Sequence, residues 1–209
     1  MIRHALAIAA KQSYVDDFCS GLVYLYGRSG ATWSLQGVVR PDPMCFGTFG
    51  DSVALSGNTL LVGSATENMS SSANPNGAVY IFTRSGTTWV TDQKLFNSAG
   101  SGGYQFGSAV GLSDTLLAVG EQYGDGSAGV VHVYTRLGVN MEFQQRLNGR
   151  PQVDNVFFGN AVAVSGDTIA VGAYYDDIGV NRNQGSAYIF AAPGCPALTL
   201  TPASLPNGA

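Results

Sequence analysis

Charge is scarce in this chain of 209 residues. Asp, Glu, Lys and Arg together make up 11% of it, and Lys11 and Lys94 are its only lysines. The formal net charge is −4, and the arginines are scattered rather than grouped. Nucleic acids and anionic membranes are bound by clustered basic side chains, so neither is an expected partner. No apolar run approaches the ~20 residues that a membrane-spanning helix needs. The apolar start, Ala5 to Ala10, has only Arg3 as a strong positive charge before it and is too short for the core of an export signal. Cys19, Cys45 and Cys195 are odd in number and lack a C-x-x-C spacing, so they read as isolated thiols rather than as a metal or redox set. A bond between two of them is an alternative in an exported chain, and they do not fix the compartment. The two histidines, His4 and His132, have no G-x-S-x-G elbow and no recurring acidic pair beside them. Nucleophilic and acid–base catalysis therefore lack their parts, and the chain reads as a non-enzyme. No stretch reads as a long amphipathic helix.

What is abundant is glycine, with 28 copies, and repetition. FGDSVALSGNTLLVG at 49–63, FGSAVGLSDTLLAVG at 106–120 and FGNAVAVSGDTIAVG at 158–172 align without a gap. Phe49, Phe106 and Phe158 stand 57 and 52 residues apart. A second motif follows each first one: GAVYIFTRSGTTW at 77–89, GVVHVYTRLGVNM at 129–141 and the shorter GSAYIF at 185–190, with GLVYLYGRSGATW at 21–33 belonging to the opening unit. Arg28, Arg84 and Arg136 hold one place, and His132 takes the slot of Tyr24, Tyr80 and Tyr188. Ala5–Ala10 aligns with Thr168–Ala173, so the chain is expected to begin inside a unit whose Phe-Gly strand is missing. Repetition at this period means that each unit buries its apolar faces against a neighbour of the same kind.

Within a unit the apolar residues alternate. Val53 and Leu55 share a face, then Leu60 and Val62 after a Ser-Gly-Asn turn, which predicts a tight hairpin. The third strand is apolar on both faces, Val79 and Ile81 against Tyr80 and Phe82, and so must lie between packed layers. A fourth strand is predicted from Trp89 to about Leu95, with Trp33–Val39 and Met141–Leu147 as its counterparts. Four short antiparallel strands repeated radially describe a β-propeller blade. The fold class is therefore all-β, a partial β-propeller of about three to four four-stranded antiparallel blades. Phe-Gly, the Val-Gly after the hairpin and Gly-x-x-Tyr-x-Phe resemble the FG-GAP repeat of integrin-α-type propellers, over residues 5 to about 194. Gly63-Ser64-Ala65 and Gly120-Glu121 depart from that family's Gly-Ala-Pro ending.

The resemblance implies a closed ring, so either the remaining blades of a parent chain or self-association is expected to complete it. Residues 1–194 are assigned to blades, the first and last incomplete. Residues 195–209 are assigned to a linker and the truncated start of an immunoglobulin-like module, resembling those of large bacterial surface proteins. Propellers of the integrin type often carry calcium on an Asp-rich loop between the first two strands, where several oxygens must converge. Here that connection is a short turn with too few carboxylates, so no cofactor and no calcium site is carried over.

The loops after the second strand are the candidates for ligand contact: Lys11–Ser20, Thr66–Asn76, Gln122–Ala128 and Tyr174–Gln184. The last is richest, with Tyr174, Tyr175, Asp176, Asp177, Asn181, Arg182 and Asn183; a cation on Asp176 and Asp177 is a minor alternative. Gly124–Gly129 fits G-x-G-x-x-G, but a strand rather than a helix is predicted after it, which removes the dinucleotide reading. Asn68-Met69-Ser70 is a formal glycosylation triplet. The reading is a binding or scaffold propeller of an exported or cell-surface protein, recognising a protein or glycan. The alternatives are a piece of a polysaccharide-acting catalytic propeller and a remnant without a function of its own.

Overall fold

A computed structural model of the chain describes residues 5–14, 19–41, 47–67, 76–97, 105–138, 140–149 and 156–191. Cys45, Cys195, the Asn68–Ser70 triplet and the segment 195–209 lie outside the described residues. Strands β1 (Ala5–Tyr14), β2 (Cys19–Ser29), β3 (Thr32–Val39) and β4 (Gly47–Thr48) form the first sheet. The second holds β5 (Ser52–Ser56), β6 (Thr59–Ser64), β7 (Ala78–Ser85) and β8 (Thr88–Phe96). The third holds β9 (Phe106–Leu112), β10 (Leu116–Glu121), β11 (Val130–Leu137) and β12 (Asn140–Asn148). The fourth shows β13 (Ala161–Ser165), β14 (Thr168–Ala173) and β15 (Ser186–Ala191). Within each sheet the other strands pair antiparallel in chain order; β4 pairs in parallel with β2 as the chain leaves for the next sheet, and Phe106 of β9 makes a parallel bridge to Gly77. This is a partial β-propeller.

The faces fall where the alternation puts them. Leu60, Val62, Tyr80 and Phe82 pack with Val23, Leu25 and Phe49, between the first and second sheets. On the other side of the same strands, Leu61, Val79 and Ile81 meet Val110, Leu117 and Val119 of the third sheet. Ala118, Val131 and Val133 then meet Ile169 and Val171 of the fourth, together with Phe158 just before it. Val79, Tyr80, Ile81 and Phe82 are all buried, as a strand with two dry faces must be. The Phe of each Phe-Gly pair is fully buried and sets its ring edge-on to the aromatic of the third strand: Phe49 on Tyr80, Phe106 on His132 and Phe158 on Tyr188, each at 5.2 Å.

Two glycine positions make these junctions close. Gly107 and Gly159 of the Phe-Gly pairs have φ of +91° and +86°, and a Cβ there would stand 2.5 Å and 2.8 Å from the carbonyl oxygens of Ala78 and Val130 in the preceding sheet. Gly77 and Gly129, which open the third strands, back onto the carbonyls of Phe106 and Phe158; a Cβ would stand 2.1 Å from either oxygen. The repeated arginine is a brace for the outer hairpin. Arg28 Nε donates to Gly30 O and Arg84 Nε to Gly86 O, whereas Arg136 reaches Asp114 O and, in the neighbouring sheet, Thr59 Oγ1.

Candidate functional site

Beneath the loops that follow the second strands lies a feature built three times. Each third-strand aromatic carries its polar atom to a buried carboxylate: the Tyr80 hydroxyl donates to Glu67 Oε1 at 2.8 Å, and the Tyr188 hydroxyl to Asp176 Oδ2 at 2.6 Å. In the third sheet, His132 Nε2 lies 2.5 Å from Glu121 Oε2. Glu67, Glu121 and Asp176 are each 1% exposed, and a carboxylate so enclosed is tolerated only when hydrogen-bonded or paired. Glu67 also takes the Lys94 ammonium, and Glu121 Oε1 takes Asn97 Nδ2 at 2.6 Å. Glu121 adjoins Gly120, whereas Glu67 and Asp176 lie four residues past Gly63 and Gly172; the nearer carboxylate meets the shorter imidazole.

Above Asp176 the richest loop is held by its own polar groups. Asp177 Oδ1 accepts from Asn183 N at 2.6 Å, Ile178 and Asn181 exchange two backbone bonds, and Asn181 Nδ2 donates to Gln184 Oε1. Asp176 therefore points into the fold, Asp177 and the two asparagines shape the loop, and Arg182 and Val180 are exposed at its tip. No group of three or more His, Cys, Asp or Glu side chains is placed to hold a metal ion among the described residues.

Tyr174 and Tyr175 remain open to solvent and come together with two rings that the repeated lines do not contain. Phe157 stacks on Tyr174 at 5.3 Å and 18°, meets Tyr175 at 5.6 Å, and touches Tyr123 of the preceding loop at 5.4 Å. Phe157 adopts a positive φ of 52°, as Gln105 does (58°) at the matching place before Phe106, so this backbone form belongs to the repeat. The Tyr174 hydroxyl titrates above its ordinary range, through desolvation first and the neighbouring Tyr175 and Tyr123 next. An amide chain ties the loop that carries Tyr123 to the segments before β13 and β9: Asn160 Nδ2 donates to Gln122 Oε1 and Gln122 Nε2 to Gln105 Oε1. Tyr123 lies in the candidate loop Gln122–Ala128, whereas Phe157 escapes sequence reasoning because it precedes its repeated motif; the crowding of Tyr and Phe around 157 and 174–175 is the one signal available. Gly124–Ser127 forms a single turn with left-handed Asp125 and Gly126 inside it, and β11 follows, so the G-x-G-x-x-G match opens no dinucleotide helix.

The sequence profile of the FG-GAP repeat family matches residues 41–82, 89–134 and 143–190. The second and third matches open in the outer strands β8 and β12 and close in β11 and β15 of the sheets that follow, so one sequence unit spans two sheets. A search of curated proteins finds no relative. With the profile matched over more than half of its length, and each Phe-Gly pair buried at a junction between sheets, the chain belongs to the FG-GAP repeat family.

Proposed function

We propose that this propeller is a non-enzymatic recognition module of an exported or cell-surface protein, and that its loop end contacts a glycan or protein. The observation that supports this reading is the half-exposed aromatic cluster of Tyr123, Phe157, Tyr174 and Tyr175, the last two on a loop that its own polar groups brace. Flat rings with polar tips offer large contact area at little entropic cost, which suits both sugar rings and protein surfaces. Scaffold-borne loops are where binding usually resides. FG-GAP repeats are typical of extracellular proteins, and no helix among the described residues is long and apolar enough to cross a membrane. The catalytic alternative is disfavoured because both oxygens of Glu121, the one carboxylate beside a histidine in the described structure, are already engaged within the fold. Screening against immobilised glycans and surface proteins tests the proposal. Binding lost on Tyr174→Ala with Tyr175→Ala, at an unchanged melting temperature, supports it; binding that survives both changes contradicts it.

A further inference from the structure

The second and third sheets differ at one junction. Lys94 of β8 stands opposite Tyr80, and Arg146 of β12 stands opposite His132, so the two cations occupy matching places. Lys94 lies inward: its ammonium pairs with Glu67 and sits 4.4 Å and 5.0 Å from the ring centres of Tyr80 and Phe96. Arg146 turns outward and bonds Asp125 Oδ1 at 2.9 Å, with both side chains more than a third exposed. Glu121 does not need that cation, because His132 and Asn97 each take one of its oxygens.

With Arg146 turned outward, a cavity of about 370 Å³ lies beside His132, between the end of β8 and the β11–β12 pair, a volume suited to a small molecule. Phe96, Tyr134 and Phe143 give it ring-faced walls, and Asn97, His132 and Arg146 give it polar ones. Arg146 is the one permanently charged group in that lining. Its surface pair with Asp125 is worth little in water and exchanges readily for a bidentate ligand carboxylate. Tyr134 keeps its proton well above ordinary pH, through burial first and the nearby Glu121 charge second, and so remains a donor.

We propose that this cavity binds a small organic monocarboxylate with a ring-shaped body, its carboxylate on Arg146 and its ring against Phe96 and Phe143. The site is separate from the loop cluster and stands whether or not that cluster binds. Sugar acids and aromatic acids share this chemistry. Titration of the whole chain with sodium D-glucuronate and with sodium benzoate, read by calorimetry, separates them, with D-glucose as the neutral comparison. At least one acid is expected to bind saturably, tighter than about 10 mM, and the preferred acid identifies the source. Arg146→Gln should weaken that binding by about tenfold or more. Phe143→Ala, at a site 53% exposed, should weaken it without unfolding the chain. Absence of saturable binding by both acids, full affinity in Arg146→Gln, or equally tight binding of D-glucose would each overturn the proposal.

Discussion

The leading face of the first sheet and the leading face of the second carry one pattern and meet opposite fates. Leu60, Val62, Tyr80 and Phe82 are buried to 3% exposure or less against the sheet before them. Leu6, Ile8, Tyr24 and Tyr26 occupy the same register in the first sheet, yet Leu6 is 42% and Ile8 47% exposed. The trailing face of the fourth sheet shows the converse. Ala163, Ala170 and Ile189 match Ala54, Leu61 and Ile81 of the second sheet but are exposed or half-buried where Leu61 and Ile81 are enclosed. An apolar pattern therefore belongs to the unit, while burial belongs to the neighbour, as expected of a repeat architecture.

The largest expected effect follows from these two faces. Exposed apolar surfaces of this kind associate, and the trailing face of one copy has the chemistry that the leading face of another meets inside the chain. Light scattering is expected to show self-association of the isolated chain, reduced to monomer by Leu6→Asp with Ile8→Asp. A wild-type chain that is monomeric at every concentration would break the comparison.

A smaller effect concerns the enclosed side of the same contrast. Burial, then the Glu121 charge, raises the Tyr134 hydroxyl above its ordinary value of 10.0. Above that pH the unfolded chain releases this proton while the folded chain keeps it, so stability intact below pH 10 is lost as pH rises further. Tyr134→Phe is expected to remove a fall of about 1.4 kcal/mol per pH unit at the alkaline end. An unchanged alkaline slope in denaturant titrations would count against this.

The smallest effect expected is none. The turn carboxylate of the third sheet, Asp114, accepts from Ser56 Oγ at 3.0 Å and so ties two sheets together instead of standing free for an ion. Millimolar calcium should leave the melting temperature unchanged; a marked rise would place an ion site in the fold.

The strands and their faces were legible because period-two alternation in Val53–Leu55 and Leu60–Val62 is dictated by the pleat alone. The equivalence of His132 with Tyr80 was legible from alignment, and both rings meet their Phe at one distance. The carboxylate that each ring touches was not, because Glu67 and Glu121 fall at different offsets from the aligned glycines: Glu67 reads as an ordinary loop residue and Glu121 ends β10. Asp176 sat among the candidate contact residues for the same reason; the Tyr188 hydroxyl, half-buried, draws it inward. The aromatic cluster escaped notice since Tyr123 and Phe157 come from different units and meet only when two sheets pack.

Stacking of like sheets is tested most directly by a matched pair of leucines. In the Ile8→Asp background, where association contributes least, Leu60→Ala should cost about 2–5 kcal/mol in denaturant unfolding, and Leu6→Ala less than about 0.5 kcal/mol. Equal losses at the two positions would mean that the sheets do not shield one another in the way described.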